Sequence, residues 1–427
     1  MSASRLPLSY YAATASDASQ HAPLEGALDC DVCVVGGGFT GVSTALHLIE
    51  RGFDVVLLEA EQLGFGASGR NGGQIVNSYS RDMDVIEARY GAETARALGS
   101  MAFEGNRIIR ERITRYAIDC DLKEGNLFAA CTERQWQGLK DHRALWARYG
   151  HSELELLGRD AYRREVGSKR YTGVLIDHSG GHLHPLNLLL GQVRAFEAQG
   201  GRVFEGSPVI SVTPGEPACV RTERGEVRAS KVVLAGNAYM SGLLPDMERR
   251  SMPASTQIIT TEPLTDAQAR ALLPTDRAVE DCNYLLDYYR LTADQRLLYG
   301  GGVSYGGQDP DSIEGAIRPK LLTTFPELSD VRIDYAWSGN FLLTLNRLPQ
   351  FGRVEASVYY AQGYSGHGVT CSHLAGCLVA EALAGDGSRF DAFAGIAHRR
   401  LPGGRTFSVP LSALGAWYYQ LRDRLGW

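Results

Sequence analysis

The sequence predicts an α/β fold: a Rossmann-like domain interleaved with an α+β domain built on a mixed or antiparallel sheet. Three observations predict it. Strand, Gly-x-Gly-x-x-Gly turn, helix, second strand and acid follow one another from Asp31 to Glu59. The strand-then-glycine pattern returns at Lys231–Ala238 and at Ser357–Gly368. Segments of different patterning separate these stretches, and 427 residues exceed what one hydrophobic core holds.

The opening stretch explains itself residue by residue. Val32–Val35 is a β-branched apolar run and reads as a strand. Gly36 permits the tight turn, Gly38 lets a pyrophosphate approach the backbone, and Gly41 lets helix pack on strand. Val42, Ala45, Leu46 and Ile49 then recur at the spacing of one helix face. Gly52 stops that helix, and Asp54–Leu58 reads as the second strand. Glu59, roughly 20 residues beyond Gly36, is placed to accept from ribose hydroxyls. The helix amino terminus offers N–H groups and a positive dipole end to a diphosphate.

Five glycines between Gly64 and Gln74 cannot form a core element. They read as backbone kept bare for a ligand, tied to the fold by Ile75-Val76. Residues 81 to 178 bring helical patterning (Val85-Ile86, then Thr94–Arg115) and strand-like Asn126–Cys131 and Gly173–Ile176. The chain is expected to turn at Asp177–Pro185, where His178, His182 and His184 read as turn histidines because Gly180-Gly181 disfavour a helix there. Leu186–Gln199 is a helix ended by Gly200-Gly201, followed by strands at Arg202–Phe204 and Pro208–Val212. Gln257–Thr261 and Leu297–Gly302 read as strands of a second visit to the other domain, and Val369 to about Leu383 as a helix after the last glycine turn. The expected division is 28–80, 178–245 and 336–390 for the dinucleotide domain and 81–177 and 246–335 for the other. An arm over 1–27 draped on the surface and a segment over 391–427 ending in a helix at Leu411–Leu425 complete it.

Bulk composition excludes several classes. A net charge of −6 without a Lys/Arg run gives no support to nucleic-acid binding. No apolar stretch reaches the roughly 18 residues of a membrane span, and the first residues lack a signal-peptide core, so a cytoplasmic protein without stable membrane insertion is expected. Eight cysteines are scattered; Cys30 and Cys33 match C-x-x-C, but Cys33 reads as a small buried hydrophobe inside the first strand, and no metal site is expected.

Together, Val34–Gly41, Glu59, Ser68–Gln74, Val232–Ala238 and Gly363–Thr370 resemble the glycine-oxidase, sarcosine-oxidase and D-amino-acid-oxidase superfamily of flavoproteins, over nearly the whole chain. More narrowly, SYYAATA, CDVCVVGGGFTG, GFGASGRNGGQIVNSYSRDMDVIE and HSGGHLHPLNL resemble its γ-glutamylputrescine oxidase branch. The resemblance implies FAD. Gly36, Gly38, Phe39, Thr40 and Gly41 would hold its diphosphate, Glu59 and Ala60 its ribose, and Val209 would lie by the adenine. Ser68, Gly69, Arg70, Asn71, Gly72, Gly73 and Gln74 would run along the diphosphate and flavin edge, with Gly236 in the returning turn. Gly366, His367, Gly368, Val369 and Thr370 would face the flavin, their helix dipole stabilising the reduced form.

Two departures from the family pattern carry information. Sarcosine-type members attach flavin through a cysteine before the last glycine turn, but none occurs between Cys282 and Cys371, so FAD is expected to be non-covalent. Those members also place a lysine where this chain has Thr370, which argues against a small amino acid gripped by its carboxylate near the flavin.

The implied reaction oxidises the primary amine of γ-glutamylputrescine, or a related N-acylated polyamine, to an aldehyde with release of ammonia. Dioxygen is the second substrate and hydrogen peroxide its product. His367 is the ionisable candidate for catalysis, beside the alternative that it only shapes the turn. Tyr288, Tyr305 and Trp337 would line a channel for a protonated stem, beside the alternative that they are core. Two other readings of the fold stand alongside: a dehydrogenase passing electrons to a quinone, and a non-catalytic flavin-binding protein. The sequence leaves the oligomeric state open.

Overall fold

Two sheets organise the chain, and the computed structural model describes residues 8–16, 20–240 and 242–401 of it. The first sheet runs in the order Gln350–Val354, Val358–Gln362, Gly225–Leu234, Gly26–Val35, Val55–Leu58, Arg202–Phe204. The last five of these pair parallel throughout. Val32–Val35 and Val55–Leu58 are buried without alternation, as expected of parallel strands covered on both faces. Val209–Thr213 and Ala218–Thr222 extend the sheet off Gly225–Leu234 as an antiparallel flap.

The helix Phe39–Ile49 covers one face beside the helix Gly368–Leu383. They touch so closely that a Cβ added at Gly376 would meet Ser43 Oγ at 2.4 Å and the Thr44 nitrogen at 2.6 Å. Phe39 and His373 rings lie 4.9 Å apart across this contact, and the Ser43 hydroxyl donates to the His373 carbonyl at 3.1 Å. Parallel strands aim both helix amino termini at the carboxyl edge of the sheet, where α/β folds bind ligands.

The second sheet is mixed. Its order is Ile333–Thr344, Ser251–Thr261, Leu297–Tyr305, Tyr288–Leu291, Ala278–Asp281, Lys123–Ala130, Gly173–His182, Gln74–Ile75, with Leu154–Gly158 also on Gly173–His182. Only the pairing of Ala278–Asp281 with Lys123–Ala130 is parallel in this sheet, as described. Two buried clusters, one on Tyr289, Tyr299 and Phe325 and one on Leu139 and Leu175, back this sheet on its two faces.

Four expectations change. The turn expected at Asp177–Pro185 is strand as far as His182: Gly180 and Gly181 belong there because Cβ atoms would strike Asn126 Cβ at 2.8 Å and the Lys123 carbonyl at 2.4 Å. The crossing set at 178 therefore comes after His182, and the one set at 336 falls inside the strand Ile333–Thr344. The helical patterning at Val85-Ile86 and over Thr94–Arg115 resolves into two helices, Met83–Gly99 and Glu104–Arg115; the first is kinked at Gly91 (φ 86°), and the Ala102 carbonyl between them accepts the Ser78 N–H at 2.8 Å. The arm does not drape: Tyr10–Thr14 is a helix with Tyr10 and Tyr11 buried. The helix expected at Leu411–Leu425 lies outside the described residues. Among the described residues no helix is long and apolar enough to cross a membrane.

Candidate active site

One cavity of about 790 Å³ opens between the carboxyl edge of the first sheet and the face of the second. Every candidate residue from the sequence lines it except Gly41, Gly69, Gly73 and Trp337.

Three of those exceptions are spacers. A Cβ at Gly41 would fall 1.9 Å from the Gly36 carbonyl oxygen, at Gly69 2.3 Å from the Gly64 oxygen, and at Gly73 2.2 Å from the Leu183 oxygen. They shape the wall by letting backbone touch backbone behind it. Trp337 is a correction. It sits opposite Ile258 in the sheet and packs with Tyr11 and Leu186, its indole N–H donating to the Arg70 carbonyl at 2.9 Å. A ring on that side of the strand joins the core, not a substrate channel.

At one end the helix Phe39–Ile49 presents its first turn. Gly36 turns with φ 113°, and a Cβ there would strike the Ala235–Gly236 backbone at 2.8 Å. Gly38 is the N-cap without a side-chain cap, and no acid occupies the first turn. Ser68 Oγ accepts the Phe39 N–H at 2.8 Å, docking the second glycine-rich stretch on the first. Glu59 accepts the Gly37 N–H at 2.6 Å on one oxygen and the Glu61 N–H at 2.9 Å on the other. Burial raises its pKa above the usual carboxylate value, while those N–H donors oppose the shift. Each oxygen keeps a lone pair for the cavity. Ser207, Pro208 and Val209 line the wall beside Glu59, with the Ser207 N–H on the Glu59 carbonyl at 2.8 Å.

Arg70 and Asn71 reach the wall, and each also donates to backbone carbonyls of the protein. Arg70 Nε donates to the Phe65 carbonyl at 2.6 Å. Asn71 donates to the Ala67 and Ser68 carbonyls and accepts the Gly73 N–H, stapling its own loop.

At the other end the helix Gly368–Leu383 opens on the cavity, again with no acid in its first turn and no side-chain cap. Tyr364 and Thr40 join the two ends through a 2.7 Å hydroxyl contact. His367 is the N-cap residue; burial pushes its pKa down to about 4 against the opposing charge of Asp82, so it is neutral at neutral pH. Thr370 donates its hydroxyl to the Val76 carbonyl at 2.8 Å, leaving no cation at that position. The three clustered histidines separate: His178 faces Glu155, His182 the Asp276 carbonyl, and His184 caps the helix Pro185–Glu197.

Two uncapped helix termini, a bare glycine turn and a carboxylate with spare acceptors fit the diphosphate and ribose of FAD. No cysteine lines the cavity among the described residues. Tyr288 and Tyr305 reach the wall from the second sheet. Sequence reasoning missed Glu280, Arg81, Arg347, Tyr239 and Tyr364, which also line it. Only Tyr364 carried a local signal, its place inside the last glycine turn.

Comparison with known proteins agrees with this geometry. A family model described as FAD dependent oxidoreductase (DAO) matches residues 31–382. The chain is 61% identical over 419 residues to gamma-glutamylputrescine oxidoreductase of Escherichia coli (strain K12), covering 98% of each chain. It is 39% identical to a probable oxidoreductase, OrdL, of Haemophilus influenzae, over 97% of each. The solved glycine oxidase of Geobacillus kaustophilus shares the fold, with a TM-score of 0.70 at 22% identity over 84% of this chain and 95% of that one.

Proposed function

The chain belongs to the DAO family of FAD-dependent oxidoreductases, and on that premise we propose that it oxidises the primary amine of γ-glutamylputrescine or a closely related N-acylated polyamine. The products are an aldehyde and ammonia, and dioxygen takes up the electrons as hydrogen peroxide. The observation that carries this reading is the 61% identity over 98% of both chains to an enzyme named for that substrate.

Bound FAD supplies the acceptor for the hydride from the carbon beside the amine. The residues of this chain supply position and field. The first turn of Phe39–Ile49 and Glu59 hold the adenosine diphosphate end. The first turn of Gly368–Leu383 sets a positive dipole at the other end, where negative charge develops. Thr370, already committed to Val76, supports a substrate whose carboxylate is held away from the reacting carbon. Tyr288 and Tyr305 offer ring faces to a methylene chain. No thiol lines the cavity among the described residues, which supports a cofactor not attached through cysteine.

The test is amine-dependent bleaching and peroxide release by the purified yellow protein, comparing γ-glutamylputrescine with putrescine, sarcosine and D-alanine. Selective turnover of γ-glutamylputrescine with peroxide is expected. Bleaching without peroxide would reassign the electron acceptor, and no bleaching by any of these amines would sink the substrate reading.

A further inference from the structure

Among the described residues, Glu280 is left without a partner. It stands in the strand Ala278–Asp281 opposite Tyr288, so both side chains leave the same face of the sheet and both line the cavity. That strand is pinned to the glycine-rich wall: Gln74 donates its amide to the Val279 carbonyl at 3.0 Å. Tyr288 lies against Gly72, where an added Cβ would come within 2.6 Å of its ring. Glu280 therefore stands at the end of the cavity read above as the flavin edge. Among the described residues its carboxylate has neither a hydrogen bond nor an ion pair. Its neighbour Asp281 is by contrast fully engaged, with Arg170 at 3.2 Å and the Asn283 and Asp287 N–H groups. The other charged or basic side chains on the wall are Glu59, Glu61, Arg70, Arg81, Arg347 and His367.

Resting on the function proposed above, we propose that Glu280 is the catalytic base that takes a proton from the substrate's reacting ammonium. A primary amine arrives as –NH3+, because alkyl ammonium groups titrate near 10. Hydride loss from the adjacent carbon needs the nitrogen lone pair, which the ammonium lacks. In the step assigned here one N–H bond breaks, its electron pair stays on nitrogen, and the proton forms an O–H bond on Glu280. An ammonium–carboxylate pair becomes a neutral amine beside a neutral acid; nothing is oxidised or reduced. Burial favours the neutral acid and, with Asp281 adding to it, pushes Glu280 up to about 8. That lies near the working pH where a general base performs best. His367, pushed down to about 4, is the weaker base on the same wall.

The experiment is anaerobic stopped-flow reduction of the holoenzyme by γ-glutamylputrescine across pH, for wild type, Glu280→Gln and Glu280→Asp, with flavin content checked by absorbance. Glu280→Gln should slow reduction by roughly 10²–10⁴-fold and lose the ascending limb of the wild-type profile, regaining rate only as free amine appears. Glu280→Asp should recover part of it. A second readout uses the substrate analogue with methyl groups in place of both α hydrogens, which cannot be oxidised. On binding it at pH 9, where Glu280 starts as carboxylate, difference infrared spectra should show a carboxylic-acid C=O band in wild type that Glu280→Gln lacks. Reduction by Glu280→Gln within threefold of wild type, a rise in KM alone with an unchanged profile, or no such band in wild type each overturns the assignment. If wild-type holoenzyme does not bleach, the substrate reading itself has failed and the assignment falls with it.

Discussion

Gly41→Ala and Gly52→Ala make the same chemical change in one βαβ unit, with opposite surroundings. At Gly41 the new Cβ would sit 1.9 Å from the Gly36 carbonyl oxygen, 3.1 Å from its carbon and 3.3 Å from Val34 Cγ1. Contacts below 3.0 Å are not tolerated, so helix and turn must part by at least 1.1 Å. Such overpacking costs about 1–3 kcal/mol, and it displaces the Gly38 and Thr40 N–H groups from where the diphosphate would lie, where one charge-assisted bond contributes about 1.5–3 kcal/mol. A combined loss near 3 kcal/mol weakens FAD binding by about 100-fold. At Gly52 nothing lies within 4 Å and only φ 85° opposes a side chain, a strain of about 1–2 kcal/mol remote from the cavity. Titration of apoprotein with FAD, followed by flavin fluorescence quenching beside a melting curve, separates the two. The reasoning fails if Gly41→Ala binds FAD within threefold of wild type, or if both variants lose affinity equally.

Glu59→Gln keeps the shape of the side chain but turns an acceptor pair into one acceptor and one donor facing the Gly37 or Glu61 N–H; FAD affinity should fall by about 10-fold or more, read by the same titration. Arg290→Met leaves the Gly72, Leu183 and Leu291 carbonyls without the donors that now reach them at 2.8–2.9 Å. Breaking a buried charged network of this kind costs about 3–5 kcal/mol, seen as a lowered melting temperature and faster FAD release. His367 has a folded pKa of about 4, below its unfolded value, so unfolding takes up a proton between that value and about 6.5 and stability falls as pH falls through the window. In His367→Gln apoprotein the stability slope near pH 5 should shrink by up to about 1.4 kcal/mol per pH unit, measured by denaturant melts. An unchanged slope would show that the site does not hold this histidine neutral.

Much of the site was legible because its signals are local. The turn Gly36–Gly41, Glu59 and the start of Gly368–Leu383 follow from spacing alone, since each is fixed within one strand–turn–helix unit. What was missed depends on distant partners. Gly180 and Gly181 look like a turn until the strands on either side are known, and only Lys123 and Asn126 reveal why glycine is needed inside a strand. Trp337 looks like any aromatic in an alternating strand; its face is decided by the arm residue Tyr11, far away in sequence. Glu280 sits in an unremarkable stretch, and only its pairing with Tyr288 and the Gln74–Val279 bond bring it to the wall.

The opening strand Gly26–Val35 has one neighbour close in sequence, Val55–Leu58, and another, Gly225–Leu234, that is synthesised much later. Tyr11 waits still longer, for Arg290, 279 residues away, whose guanidinium donates to its hydroxyl at 3.1 Å. The helix that closes the far end of the cavity starts only at Gly368. A ribosome therefore releases nearly the whole chain before the cavity exists. The early glycine turn emerges with its strand edge and its helix face uncovered, a state that invites aggregation. Cofactor loading becomes a late event that draws the completed fold together by mass action.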